Sequence, residues 1–304
     1  MNATQSQEAQ AKSGAIRLVT PSLIVAVAAI SFAAIFFKKA APTHPIVAAG
    51  IRLAVAAICL TPIAIRAYQK GLVTGQHVRS AIVAGLLYGV HFGTWVSSLT
   101  LTSVASSVTL VTATPLILAL IALATGRDAP DPKHWVSIAL AICGISIIAK
   151  HDLDLGAEAL MGDALAVGGA VAMAGYMLVT RRLGEALHLW TFGAIATGVG
   201  AIALLGTAFA LGIPIEASSS EAFFYLVLAA LVPQLIGHNL LTWSLRYARP
   251  TIVGIATVGE PVGATILAWL WLGEKISGTM ALGCGLTIGA ILLALRGKNE
   301  YGKG

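Results

Sequence analysis

Ten runs of mostly apolar residues, each close to the length of a membrane-spanning helix, succeed one another along this chain and leave room for little else. They cover about residues 19–38, 46–66, 80–99, 104–125, 134–150, 163–181, 189–212, 222–245, 251–272 and 278–296. Lipid offers no partner to an exposed backbone amide, so segments of that length and polarity cross a bilayer only as helices whose own ladders satisfy each N–H and C=O. The breaks hold Pro42 with Pro45, Gly71 with Gly75, Pro130 with Pro132, Gly156, Gly184 and Pro250, residues that punctuate helices. Ten spans use roughly 200 residues, and what remains of the 304 makes two tails and short loops, with no space for a soluble catalytic domain. The first run is too long for a signal-peptide core and is followed by more membrane, so it counts as span 1.

Composition agrees. Charged residues are 11% of the chain, against about 25% in soluble domains, so a water-facing surface cannot be built and an aqueous enzyme is excluded. The formal charge of +6 does not indicate a nucleic-acid partner, because most Lys and Arg residues sit at span ends and form no stripe along one face. That placement suits lipid headgroups, and the bilayer is the expected partner. Cys59, Cys143 and Cys284 lie inside apolar runs, with a number and spacing that fit neither a disulfide framework nor a zinc site. They are expected to pack as small apolar residues, and no metal site is expected.

Cytoplasmic loops retain positive charge, so Lys and Arg counts at alternate span ends give an orientation. The N-terminal tail, the connections 2–3, 4–5, 6–7 and 8–9, and the C-terminal tail hold fourteen, whereas the opposite side holds only Lys38, Lys39, Lys150 and Lys275. Both termini are therefore expected in the cytoplasm of a multi-pass inner-membrane protein. The expected organisation is a cytoplasmic tail over 1–18, a first five-helix unit over 19–150, a connecting loop over 151–162, a second unit over 163–296 and a cytoplasmic tail over 297–304.

Displacing the chain by about 146 residues lays its second half on its first. Ser98 and Leu99 fall on Ser244 and Leu245, Pro115 on Pro261, Asp128 on Glu274 and, with one residue less, Gly144 on Gly289. Each unit has five spans, and an odd number means that the second enters the membrane upside down. Inverted repeats are the usual construction of secondary transporters, with a substrate site near the midplane where the halves meet. The expected fold is an all-α integral membrane protein with ten transmembrane helices, arranged as two inverted-topology five-helix repeats around a central cavity.

Residues 251–276, with Glu260-Pro261 in mid-helix and Leu272-Gly273-Glu274-Lys275 at the end, resemble the signature of the drug/metabolite transporter superfamily, EamA type. Gly283, Gly285 and Gly289 in the last span, Pro45 ahead of Arg52 in span 2, and the stretch ending at Pro115 are similar to that family as well. The resemblance covers about 280 residues and implies ten helices in two inverted repeats, a central cavity and export of small metabolites. Within the family the chain looks most like bacterial exporters of aromatic and other neutral amino acids. It departs at Arg127-Asp128, where the first repeat lacks a clean Gly-Glu.

An ionisable or strongly polar group inside a span is a functional candidate, because lipid penalises it by a few kcal/mol. Tyr88, His91, Trp95, Ser98 and Thr102 recur at three- and four-residue steps along span 3 and form one stripe. That stripe is either a cavity wall or an interhelical hydrogen-bond seam. Gln234, His238 and Thr242 share a face of span 8, while Asn239 points elsewhere and suits a packing hydrogen bond. Glu260, in mid-span 9, is placed to bind a substrate ammonium, to carry a coupling proton or to serve as a structural hydrogen-bond donor. Arg52 lies about 10 Å below the outer end of span 2, and either snorkels outward or pairs with a carboxylate in an outer gate.

Pro115 and Pro261 each strand a carbonyl four residues back, those of Val111 and Thr257, with the hydroxyls of Thr112 and Thr257 nearby to serve the loosened backbone. Two matched kinks are either hinges for rocking one bundle against the other or simple packing kinks. Trp95 and Trp243 offer flat surfaces to an apolar or aromatic side chain; Trp190, Trp269 and Trp271, near span ends, suit the interfacial belt. Gly285 and Gly289 suit close helix packing.

No GxxxxGK[ST] phosphate loop, HExxH or GxSxG occurs, so no cofactor, nucleotide-driven pump or membrane hydrolase is indicated. Transport then runs down the substrate's gradient or with an ion, and Glu260 and the two histidines are the groups able to carry a proton. The expected activity is a secondary transporter exporting small zwitterionic metabolites, foremost neutral amino acids including aromatic ones, by alternating access. The expected substrate site is Tyr88, His91, Trp95, Gln234, His238, Trp243 and Glu260, with hinges at Pro115 and Pro261 and with Glu260, His91 and Arg52 as proton or gate residues. The alternatives are a broad-specificity drug or metabolite exporter and, from other classes, an intramembrane enzyme or a non-transporting scaffold.

Overall fold

A computed structural model of the chain describes residues 3–72, 74–125, 132–183, 188–248, 253 and 256–295, and side chains within these except at 3–16, 132–134, 148–155, 294 and 295. Every regular element among the described residues is a helix. Span 1 is α1 (Ala3–Ile30) and α2 (Ala33–Lys39), span 2 is α3 (Pro45–Gln69) and span 3 is α4 (Gly75–Leu101). Span 4 is α5 (Val104–Val111) with α6 (Thr114–Thr125), and spans 5, 6 and 7 are α7 (Pro132–Leu155), α8 (Ala157–Leu183) and α9 (Leu189–Ala210). Span 8 runs through α10 (Ser220–Ala229), a π-helix (Ala230–His238) and α11 (Asn239–Ser244), and spans 9 and 10 hold α12 (Gly259–Leu272) and α13 (Gly278–Leu295). Seven of these, at Arg17–Lys39, Pro45–Gln69, Gly75–Leu101, Val104–Thr125, Ala157–Leu183, Leu189–Ala210 and Ser220–Ser244, are long and apolar enough to cross a membrane. The helices of spans 5, 9 and 10 have shorter apolar stretches.

Two expected boundaries change. Residues 151–162 are not a loop: α7 continues to Leu155 and α8 begins at Ala157, so Gly156 alone separates them. Its φ of 109° lets the chain reverse in one residue, a conformation that glycine adopts without a Cβ clash. The N-terminal tail is helical from Ala3 and runs into span 1 without a break.

The packing repeats when each span number is raised by five. Span 3 lies on span 6, and span 8, its counterpart, lies on span 1. Spans 4 and 6 pack as spans 9 and 1 do, while 2 with 7, 4 with 9 and 5 with 10 pair across the halves. This exchange of partners is what a duplicated chain folded about a twofold axis requires. Lipid tails give helices no hydrophobic reason to associate, so close van der Waals contact must hold them together. A Cβ on Gly200 of α9 would meet the Gly85 carbonyl at 3.2 Å and the Gly89 nitrogen at 3.3 Å, so these two backbones nearly touch. In span 10, the close approach is not at Gly285 or Gly289, where an added Cβ would meet nothing within 4 Å. It is at Gly144 of α7, whose Cβ would sit 2.9 Å from the Gly283 carbonyl. Large apolar side chains such as Ile58, Ile202, Phe209 and Trp269 are exposed on the outside, where lipid would cover them.

Candidate functional site

Side chains from spans 3, 4, 6, 8 and 9 line a partly open cavity. Span 3 contributes His91 and Trp95, and span 9 contributes Thr257 and Glu260. Span 4 contributes Val111, Thr112 and Thr114 because its helix is interrupted there: α5 ends at Val111 and α6 starts at Thr114, just ahead of Pro115. The stranded Val111 carbonyl accepts from the Thr114 hydroxyl at 3.1 Å; Thr112 instead donates to Val108 at 2.7 Å, so the expected partner is corrected by two residues. In span 9, Val258 is a turn, α12 starts at Gly259, and Pro261 falls in the first turn, where a missing N–H costs nothing. Thr112 and Val258 stand 146 residues apart, so the two interruptions match in the repeat.

Glu260 is the one carboxyl on the cavity wall among the described residues, and no Lys or Arg shares that wall. No described residue hydrogen-bonds or ion-pairs with it, although Arg52 lies near enough to couple electrostatically to Glu260, His91 and His238. His91 donates through Nδ1–H to the Gly169 carbonyl at 2.9 Å, which fixes its tautomer, since a carbonyl can only accept. His238 makes edge contacts with Tyr88 and Phe92, their centroids at 5.8 and 5.4 Å. Trp95 is 2% exposed, and its indole N–H has no acceptor among the described residues.

Behind this wall a buried network crosses from one half to the other. Arg52 is completely buried, donates from Nη2 to Gln234 Oε1 at 3.0 Å, and lies over the Phe92 ring at 4.2 Å. It does not snorkel, and it pairs with no carboxylate among the described residues. Gln234 Nε2 donates to the Tyr88 hydroxyl at 2.9 Å, Tyr88 stacks on Tyr176 at 4.5 Å, and the Tyr176 hydroxyl meets that of Thr242 at 3.1 Å. Tyr88 with Gln234 and Phe92 with His238 are pairs separated by the repeat offset of 146, so equivalent positions of the two halves touch here.

At one end of the molecule the halves are tied together. Lys38 lies 3.9 Å from Glu274 and donates to the Thr102 carbonyl at 3.4 Å. Glu274 accepts the Val104 N–H at 3.1 Å, at the start of α5, and Thr43 and Ser218 hydroxyls meet at 3.0 Å. Along α5 the cavity begins about 10 Å from this end, and its far members, Met177 and Leu245, lie near the opposite ends of spans 6 and 8.

Sequence comparison matches residues 20–150 and 160–296 separately to the profile of the EamA-like transporter family. The chain belongs to that family. Its long apolar helices make it a multi-pass membrane protein, and the two matches indicate that its halves are duplicated EamA units. It is 26% identical over 229 residues to the "Uncharacterized transporter YetK" of Bacillus subtilis (strain 168), covering 71% of this chain and 64% of that protein, slightly under two-thirds of the relative's length. A solved structure described only as "Crystal structure of protein" superposes with a TM-score of 0.64 at 17% identity, over 91% of this chain and 96% of the other. That likeness concerns the fold.

Of the expected substrate residues of this EamA transporter, His91, Trp95, His238 and Glu260 come together on the cavity wall. Tyr88 and Gln234 stand behind it in the Arg52 network, so the span 3 stripe divides between wall and seam; Ser98 belongs to the seam through a hydrogen bond with Ser107. Trp243 lies off the cavity, half-buried against Tyr247 at 5.0 Å. The Asn239 amide nitrogen is buried without an acceptor among the described residues, in place of the expected packing hydrogen bond. Arg127-Asp128 falls outside the described residues. Sequence reasoning missed Met173, Tyr176 and Met177 in span 6, which carry no charge; their i, i+3, i+4 spacing is the signal that would have put them on one face. It also missed the π-helix, although Pro233, which removes an amide within span 8, marks it.

Proposed function

We infer that this EamA transporter exports small zwitterionic metabolites, foremost neutral amino acids including aromatic ones, across the bacterial inner membrane. The observation that carries the inference is Glu260, a carboxyl without a partner among the described residues, on a largely apolar wall that it shares with Thr112 and Thr257. A substrate ammonium supplies the missing counter-charge there, and the absence of Lys or Arg from the wall disfavours multiply charged anions. The two halves act as inverted repeats in an alternating-access cycle, hinged at the interruptions before Pro115 and Pro261, with both termini cytoplasmic as the Lys and Arg distribution favours. In that orientation the tied end faces outward and the cavity belongs to an inward-facing state, ready to load from the cytoplasm. Glu260 and His91 are the residues able to carry a coupling proton. The adaptable thioethers of Met173 and Met177 favour a second reading, a broader exporter of apolar metabolites or drugs.

The test is transport by the purified full-length protein in liposomes, given an isotopically labelled mixture of the twenty amino acids. Selective movement of a few neutral ones, above protein-free vesicles, is the expected result. Movement of none by folded, inserted protein would refute the amino-acid reading, and inhibition by many unrelated apolar compounds would favour the second.

A further inference from the structure

The cavity wall has a polar and an apolar part. Spans 9 and 4 bring Glu260 and the hydroxyls of Thr257, Thr112 and Thr114, and spans 6 and 8 bring Met173, Met177, Leu241 and Leu245 beside His238 and the hydrogen-bonded Tyr176 and Thr242. Met173 and Met177 are one helical turn apart on α8, and Leu241 and Leu245 hold the same spacing in span 8, so each pair forms one apolar ridge. All four are less than 8% exposed, so neither ridge faces lipid. The aromatic surfaces available to a substrate are fewer than the sequence indicates. Tyr88 is covered by Tyr176, and Trp243 lies outside the cavity. Of these three Trp95 remains, sharing the wall with Tyr176; it is stacked with the His91 ring at 6.2 Å and crossed by the edge of Phe37 at 5.7 Å. Its buried indole N–H lacks an acceptor among the described residues, and a buried donor left unsatisfied is costly.

We propose that the cavity holds two unassigned substrate subsites: the Trp95 indole N–H, which takes an oxygen of the substrate carboxylate, and the ridges of Met173, Met177, Leu241 and Leu245, which take an unbranched or γ-branched apolar side chain. The proposal rests on the amino-acid reading given above and adds the substrate's orientation and selectivity. With the ammonium at Glu260 and the carboxylate at Trp95, the side chain goes to the thioether wall. Polarizable, unbranched methionines adapt to side chains of several shapes, so leucine, methionine and phenylalanine are accepted. Short side chains leave the ridges unfilled and bind more weakly, by about 0.8 kcal/mol per missing methylene, or roughly fourfold.

The experiment is equilibrium binding of labelled leucine to the full-length protein, with leucine and its decarboxylated analogue 3-methylbutylamine as competitors. Trp95→Phe keeps the ring and removes the N–H. It is expected to weaken leucine about tenfold and leave 3-methylbutylamine unchanged; equal weakening of both, or of neither, would overturn the carboxylate subsite. Met177→Trp fills the other subsite and is expected to weaken leucine and methionine at least tenfold while sparing alanine, and an equal effect on all three would overturn the side-chain subsite. Native protein that moves no amino acid in liposomes would defeat the underlying reading. Leucine transport with indiscriminate variants would defeat this proposal alone.

Discussion

Arg52 shows what a single buried charge demands of its neighbours. With no exposed surface, the guanidinium depends on the Gln234 carbonyl and the faces of Phe92 and Phe37. Gln234→Leu removes the one acceptor and strands the charge, which is expected to cost about 3 kcal/mol or more and to lower the thermal unfolding midpoint in detergent. Gln234→Glu supplies a carboxylate at the same place and is expected to retain the native midpoint or exceed it; equal losses in both variants would refute the network. Glu260 plays a different part, since the protein leaves it unpaired. Glu260→Gln keeps shape and folding but removes the charge, and a charge-assisted hydrogen bond of about 1.5–3 kcal/mol corresponds to a loss of about 10- to 100-fold in apparent substrate affinity. Binding of labelled substrate measures it, and unchanged affinity would remove Glu260 from the site. The sequence singled out both residues because charges within apolar runs are conspicuous. It could not give their partners, because Gln234 lies 182 residues from Arg52 and only the packing of span 2 on span 8 brings them together.

Helix ends carry the next level of control. His188 caps α9 by accepting the Thr191 N–H through Nδ1, and the same nitrogen lies 2.9 Å from the Thr191 hydroxyl. Burial, and then the charge of Arg246, hold this imidazole below its ordinary pKa of 6.5. A cap that accepts through Nδ1 must be unprotonated there. Above about pH 6.5 both folded and unfolded chains carry a neutral ring, and the cap contributes fully; as the pH falls, the unfolded chain takes the proton first and the stabilisation is lost towards the lowered value. His188→Ser keeps a capping oxygen without a titration. The drop in unfolding midpoint between pH 7.5 and 5.5 is therefore expected to be smaller in this variant, and an identical drop would exclude His188. Much at this scale was legible: nine of the ten spans begin or end near a marked Pro or Gly, and Pro115 and Pro261 foretold the interruptions of spans 4 and 9. Gly156 was legible as a break but not as the entire connection, since polar residues at 151–154 resemble a loop in sequence while extending α7 in space.

For the whole molecule, the repeat offset of 146 was readable, and it predicts which spans exchange partners; what it cannot supply is which end of the assembly is closed. The structure ties one end through Lys38, Glu274, the Val104 amide, Thr43 and Ser218, joining connections from both halves. Lys38 and Glu274 are 28% and 24% exposed, so their ion pair alone contributes at most about 1 kcal/mol. The Val104 N–H at the α5 N-terminus adds an amount of similar order, about 1 kcal/mol, to the same carboxylate. The alternating access proposed above needs a tie of this modest size, because a tie of about 5 kcal/mol would hold the end shut through every cycle. Glu274→Ala is therefore expected to shift the balance towards the open end by about 5- to 30-fold, equivalent to 1–2 kcal/mol. Spin labels at Ala41 and Glu216, which lie exposed at this end on opposite halves, measure the shift in a background lacking the three native cysteines. A longer-distance population that grows in Glu274→Ala, and grows less in Glu274→Gln, where an oxygen still accepts from Val104, would mark the carboxylate as the tie. Distances unchanged in both variants would assign closure to apolar packing of Phe37 on Trp95 instead.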